Sequence, residues 1–300
     1  MISIVGVGRV GASIAFLCAS NSLDDIVLVN RTKDKAEGET MDISNAIPQN
    51  SNISVIGTDD YSKITGSHVV VITASTSVYT NNRSENIDKQ VLMIKDIARK
   101  INQYCPNAVV LIVSNPLDVL TYFFQKECPF LRNKVIGVAS SLDSSRFRYL
   151  LSKKFGVHQS QISDAMVLGE HGDTMVPVFS RVKIDGKSLS SMIKSATKKT
   201  LTSEVRNYWK SLRKYKSRSQ FGIAKNTFDV ICSVLRNKEL SIPASVMLKG
   251  EFGESDVCMG VPVIINKNGI TKIQEITLNN EEQKMLADSA QSIKKYIKSV

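Results

Sequence analysis

The chain has 300 residues, enough for one large domain or two, and 42% of them are hydrophobic against 22% charged, which excludes a disordered or collagen-like chain. No apolar run reaches the about 18 residues of a membrane-spanning helix, and Met1 leads straight into Ile2-Ser3-Ile4-Val5 with no basic region ahead of it, so no cleavable leader is expected. The net charge of +11 leaves anionic partners open, and where that charge sits decides more than its size.

Runs rich in Val and Ile at 2–5, 26–29, 53–56, 69–73, 109–114 and 135–138 predict six short buried strands. They show little alternation, as strands of a parallel sheet covered on both faces do. Helical stretches lie between them, for example at 12–20 and 87–104. Such alternation predicts a doubly wound sheet with right-handed crossovers. Near residue 140 the pattern changes. Residues 141–155 predict a helix with Leu142, Leu150, Leu151 and Phe155 inward and Ser140 or Ser141 as its cap. A short apolar run at 165–168, a turn at Asp185-Gly186 and strands at 257–261 and 263–265 follow. Asn268-Gly269 is a hairpin signal before 270–276. Residues 280–300 predict a helix, Glu-rich at its start and Lys-rich at its end, in keeping with the helix dipole.

The cysteines are Cys18, Cys105, Cys128, Cys232 and Cys258. An odd number with no Cys-x-x-Cys pair speaks against a disulfide framework and against a zinc site, so no metal is expected. Dispersed thiols fit a reducing, cytoplasmic setting. Between Lys194 and Arg218 stand nine Lys or Arg and one acid, Glu204, with Tyr208, Trp209 and Tyr215 among them. Aromatics among cations can bind nucleic acid. A helix with a solvated basic face, or a collar drawing small anions to a cleft, explains the segment better.

Gly6-Val7-Gly8-Arg9-Val10-Gly11 follows the first strand and opens a helix. Gly6 permits the tight turn, Gly8 lets the backbone approach a pyrophosphate, and Gly11 lets helix and strand pack closely. The phosphates would sit at the helix N-terminus, where free N–H groups point at them. In that context the pattern predicts dinucleotide binding. An acid that would hold the adenine ribose is expected at the end of the second strand. Here the strand ends Leu28-Val29-Asn30-Arg31-Thr32-Lys33. Asn30 removes the repulsion a carboxylate would exert on a 2′-phosphate, and Arg31 offers a guanidinium fork for it. This favours NADP over NAD.

Gly169-Glu170-His171-Gly172-Asp173 places a histidine between glycines after a short apolar run. Histidine is the side chain whose ordinary titration lies near neutral pH, which suits a proton carrier. His68 and His158 are read as structural. Asp143 and Arg146 lie three apart on a predicted helix and so share a face. Asn115-Pro116 follows a buried strand at the carboxyl edge of the sheet, where ligands of such sheets bind.

With Gly6–Gly11, Asn115-Pro116-Leu117-Asp118, Leu142-Asp143-Ser144-Ser145-Arg146 and Gly169-Glu170-His171-Gly172-Asp173 in this order, the sequence resembles the lactate/malate dehydrogenase family over essentially its full length. It looks most similar to the archaeal-type malate dehydrogenases. The resemblance implies an α/β fold: an N-terminal doubly wound parallel-sheet (Rossmann) domain, residues 1–140, and a C-terminal α+β catalytic domain, residues 141–300. It implies an oxidoreductase that moves a hydride between a nicotinamide cofactor and a small anionic 2-hydroxy acid, malate/oxaloacetate first, in a homodimer or homotetramer. His171 would carry the proton, Asp143 would orient and charge its ring, and Arg146 would clamp the substrate's C1 carboxylate. Arg83 would polarise the reacting carbonyl from a lid. Asn115 would touch substrate and nicotinamide, and Ser219 would line the pocket. Gly6, Gly8, Arg9, Val10, Gly11, Asn30 and Arg31 would hold the cofactor.

The lid departs from the family pattern. It reads Ser75-Thr76-Ser77-Val78-Tyr79-Thr80-Asn81-Asn82-Arg83, without the second arginine that pairs with malate's distal carboxylate. Val78 or Tyr79 falls at the specificity position. Lys225 is the candidate replacement, although an exposed helix lysine is the plainer reading of it. An uncompensated distal carboxylate would be costly to desolvate. A lactate-like or bulkier apolar 2-hydroxy acid therefore stays open as substrate. A more remote alternative is a non-catalytic dinucleotide-binding protein that contacts nucleic acid through residues 194–218.

Overall fold

The computed structural model describes residues 1–76 and 87–300. The first half runs β1 (Ile2–Val5), α1 (Arg9–Ser20), β2 (Ile26–Val29), α2 (Lys33–Ser44), β3 (Val55–Thr58), β4 (Val69–Ile72), α3 (Ile87–Tyr104), β5 (Val109–Ile112), α4 (Leu117–Glu127) and β6 (Val135–Gly137). The second half runs α5 (Ser140–Phe155), β7 (Ile162–Ser163), β8 (Met166–Leu168), β9 (Val176–Val178), β10 (Lys183–Ile184), β11 (Lys187–Ser188), α6 (Ser195–Arg206), α7 (Tyr208–Arg213), α8 (Phe221–Leu235), β12 (Leu240–Lys249), β13 (Ser255–Asn266), β14 (Gly269–Ile273) and α9 (Asn280–Lys298).

One nine-stranded sheet organises the molecule, in the order β14-β13-β12-β6-β5-β4-β1-β2-β3. The six strands of the first half pair in parallel. Strand order reverses between β1 and β4, which opens a crevice at the carboxyl edge. Strands β1, β2, β4 and β5 are buried along their whole length. Their apolar side chains pack against α1, α2 and α8 on one face, through Ile14, Ala15, Ala36 and Ile231. On the other face they pack against α3 and α4, through Ile94, Ile97, Leu120 and Phe124. This two-sided burial is why the strands read as unbroken apolar runs. A separate cluster joins α5 to α6 through Phe147, Leu151, Leu201 and Val205.

The structure corrects three details. Neither Ser140 nor Ser141 caps α5. The N-cap is Ala139, and neither serine hydroxyl has a hydrogen-bond partner. The strands expected at 257–261 and 263–265 are one strand, β13, running straight through Pro262. Pro262 faces Pro243 of β12, so neither imino acid is asked to donate across the pair. That partner, β12, was not anticipated. It joins the second half to the first by pairing Ser245 with Gly137 at the end of β6. At the C-terminus, α9 starts with a reciprocal cap in which Asn279 accepts from Glu282 N–H and Glu282 accepts from Asn279 N–H.

Candidate active site

The glycine-rich turn between β1 and α1 sits at the crevice. Gly6 has φ +94°, and a Cβ there would lie 2.5 Å from the Ala74 nitrogen, so both the backbone angle and the space demand glycine. Thr73 Oγ1 donates to the Gly6 carbonyl at 2.5 Å and fixes the turn to the end of β4. Gly8 is the N-cap of α1. It faces open space, no side chain caps the helix there, and the first turn carries no acid. Uncapped N–H groups beside an open glycine suit a pyrophosphate, so the residues present fit a dinucleotide. Asn30, at the end of β2, accepts from Val7 N–H at 3.4 Å and donates to the Thr32 carbonyl at 3.0 Å. Arg31 is exposed. Val10 packs on the core. The Arg9 guanidinium donates to Ser217 at 2.6 Å, so the segment ahead of α8 reaches the cradle.

Across the crevice lies the loop after β8. Gly169 exchanges two backbone hydrogen bonds with Gly260 of β13, at 2.8 and 2.9 Å, and Glu170 N–H donates to Ser289 of α9 at 2.8 Å. The loop is therefore anchored where His171 leaves it. The His171 Nδ1 lies 2.5 Å from Asp143 Oδ2, and Arg146 donates to Asp143 Oδ1 at 3.0 Å. Asp143 is 1% exposed, Arg146 10% and His171 14%: the carboxylate is sealed while ring and guanidinium reach the cleft. Burial alone would raise the Asp143 carboxyl. The charges and hydrogen bonds of His171 and Arg146 outweigh it and hold the group below its ordinary value. Helix α5 supplies both Asp143 and Arg146 from one face, and Asp143 meets a histidine 28 residues further on.

Other expected residues are less engaged. Asn115 is exposed at the end of β5, and Ser219 is half-buried just ahead of α8. Arg83, Val78 and Tyr79 lie outside the described residues. Lys225 is not held ready for a substrate carboxylate: its ammonium is on Asp229 of the same helix, at 2.5 and 2.7 Å. Residues 194–218 form α6, α7 and the loop after them. Leu201 and Val205 turn inward, as a helix with a solvated basic face requires. Among the described residues no His/Cys/Asp/Glu group could hold a metal ion, and no helix is long and apolar enough to cross a membrane.

Two participants escaped the sequence reading. Tyr208, midway along the basic segment, carries its ring 5.1 Å from the Arg146 guanidinium, so that segment reaches Arg146. The sequence signal of Tyr208, an aromatic among cations, suggested only a basic face or an anion-drawing collar and named no contact with Arg146. Asp118 accepts from the His171 backbone N–H at 2.7 Å and from Ser245 at 2.7 Å. Its sequence signal is its place in Asn115-Pro116-Leu117-Asp118, which by itself points to no contact with His171.

The model of the lactate/malate dehydrogenase NAD binding domain matches residues 1–137, and that of the lactate/malate dehydrogenase alpha/beta C-terminal domain matches residues 140–300. The chain belongs to the lactate/malate dehydrogenase family. It is 35% identical to L-lactate dehydrogenase 1 of Clostridium acetobutylicum over 308 residues, covering 100% of this chain and 98% of that protein. The malate dehydrogenase structure from Aeropyrum pernix superposes with a TM-score of 0.93 at 30% identity, covering 100% of this chain and 98% of that one. The Cryptosporidium parvum lactate dehydrogenase, complexed with lactic acid and nicotinamide adenine dinucleotide, gives a TM-score of 0.95 at 35% identity, covering 99% and 96%. Family membership makes the chain an oxidoreductase of the lactate/malate type with an NAD-binding Rossmann domain. Relatives of both substrate names are equally near, so substrate choice rests on this chain's own residues.

Proposed function

We propose that the chain is an NAD(P)-dependent malate dehydrogenase, working on malate and oxaloacetate through His171, Asp143 and Arg146. The observation that carries this reading is the hydrogen-bonded His171–Asp143–Arg146 set, with its carboxylate sealed and its ring and guanidinium partly exposed. Nδ1 of His171 is committed to Asp143, which leaves Nε2 to face the substrate. In reduction the protonated ring gives its Nε2 proton to the carbonyl oxygen; in oxidation it takes the hydroxyl proton back. The bound nicotinamide supplies or accepts the hydride. Arg146 grips the C1 carboxylate through two parallel hydrogen bonds, and Arg83 belongs to the same reading as the residue that polarises the carbonyl. Asn115 and Ser219 complete the pocket. The basic collar of α6 and α7 beside Arg146 favours a doubly charged substrate by steering. The division at residue 140 and assembly as a homodimer or homotetramer belong to the same reading.

One observation favours a second reading, a monocarboxylate such as a lactate-like or bulkier apolar 2-hydroxy acid. The Lys225 charge is met by Asp229, and the lid sequence 75–83 holds a single arginine. The cofactor choice follows Asn30 and Arg31: no carboxylate ends β2, and the exposed Arg31 suits a 2′-phosphate.

A panel of NADPH and NADH against oxaloacetate, pyruvate, 2-oxoisocaproate and phenylpyruvate tests both choices. Oxaloacetate is expected to lead; an apolar 2-oxo acid in first place replaces malate with the second reading. In the same panel Arg31→Ala is expected to raise the KM for NADPH about tenfold, the worth of a charge-assisted contact, with little change for NADH. Asn30→Asp should act in the same direction. Equal losses for both cofactors contradict a 2′-phosphate contact.

A further inference from the structure

Asp118 sits in the first turn of α4, three residues after Asn115, and is 3% exposed. Its two oxygens serve different parts of the molecule. Oδ2 accepts the backbone N–H of His171, and Oδ1 accepts the hydroxyl of Ser245 on β12. His171 is thus held between two buried carboxylates, Asp143 at the ring and Asp118 at the peptide. We propose that Asp118 is a positioning residue for proton transfer: it fixes the His171 backbone to the segment that carries Asn115 and sets a second buried carboxylate beside the proton carrier.

The proposal rests on the reading of His171 as the proton carrier. Among the described residues the groups facing Asp118 are few. His171 and Glu170 come from the loop after β8, Ser245 from β12 and Cys258 from β13. Burial keeps the Cys258 thiol protonated by pushing it well up, so His171 and Glu170 are the charges that Asp118 meets there. Burial raises the Asp118 carboxyl to about 6, against the hydrogen bonds of Ser245 and His171. Between its ordinary value and about 6 the folded chain holds this proton while the unfolded chain has released it. Stability therefore falls as pH rises through that window, and the full penalty is present above it. A charge that costs stability at neutral pH and adjoins the proton carrier is placed for function rather than for holding the fold.

Asp118→Asn keeps the shape. The amide oxygen can accept from His171, and the amide group can donate to Ser245 once that hydroxyl turns. Only the charge is lost. The alkaline limb of the pH profile for 2-oxo acid reduction is expected to move to lower pH by about half a unit or more, as loss of a nearby opposite charge does. Cofactor binding should be unchanged, and the Tm at pH 8 unchanged or higher. Ser245→Ala, which removes one donor from the carboxylate, should move the limb the same way by less, and it serves if Asp118→Asn does not fold. An unmoved limb in the variant that folds overturns the proposal, whatever the Tm. His171→Asn run beside them separates the two claims: if it turns over like wild type, the proton-carrier reading fails, whereas an inactive His171→Asn with an unmoved Asp118→Asn limb removes Asp118 alone.

Discussion

His171→Asn is expected to lower kcat by about a hundred- to ten-thousandfold, the range in which a positioned acid–base group contributes, while the Kd for NADH or NADPH stays within about twofold. Asparagine can keep a hydrogen bond to Asp143 but cannot carry a proton between pH 5 and 9. The variant isolates proton transfer from positioning. Cofactor affinity should hold because the cradle at Gly6 and Gly8 lies on β1 and α1, whereas His171 is pinned through Gly260 and Ser289. Steady-state reduction kinetics together with cofactor fluorescence titration check both halves. Near-wild-type turnover would remove His171 from the mechanism.

Arg146→Gln is expected to act on the substrate. Two parallel charge-assisted hydrogen bonds to a carboxylate are together worth about 3–5 kcal/mol. The predicted loss in kcat/KM is therefore about a hundred- to several-thousandfold, mostly through KM. Lysine should restore little of it, because a point charge cannot reproduce the planar fork or the stacking on Tyr208. Asp143 also loses a donor in this variant. Its carboxyl, held low by His171 and Arg146 against burial, should then take up a proton at higher pH. In the wild type that ion set stabilises the fold above the ordinary Asp range and is lost as pH falls through the lowered value. Thermal melts should accordingly show Arg146→Gln losing stability at higher pH than wild type on the acid side. An unchanged KM for every 2-oxo acid would contradict the clamp.

The parallel strands were legible because burial on both faces leaves their Val and Ile runs uninterrupted, as at 69–72 and 109–112. The nucleotide cradle was legible because its glycines are consecutive in sequence and demanded locally by the turn. The join between the halves was not. β12 contains Ser241, Pro243 and Ser245, which break the apolar pattern, and its partners are β13 and a single residue of β6. Pro262 hid the continuity of β13 because an imino acid opposite another imino acid does not end a strand. The helix cap failed at Ser140 because the chain enters α5 one residue earlier, with both serines already inside the helix.

The site divides in the same way. Asp143 and Arg146 share a helix face and could be paired from spacing alone. His171 reaches Asp143 across 28 residues, Asp118 reaches His171 across 53, and Ser245 reaches Asp118 across 127. Contacts that long are set by the sheet and not by local pattern. Lys225 takes the plainer of its two readings, an exposed helix lysine, paired with Asp229 four residues on along the same helix face.

A single turnover with wild-type protein tests directly whether this chain reduces a 2-oxo acid with its bound cofactor. NADPH or NADH is bound first and oxaloacetate or pyruvate is then added, with loss of reduced cofactor and formation of the 2-hydroxy acid followed in the same sample. Equal amounts of cofactor oxidised and 2-hydroxy acid formed are expected, with the same turnover slowed about a hundred- to ten-thousandfold in His171→Asn. Bound cofactor that none of the 2-oxo acids oxidises would contradict the proposed function.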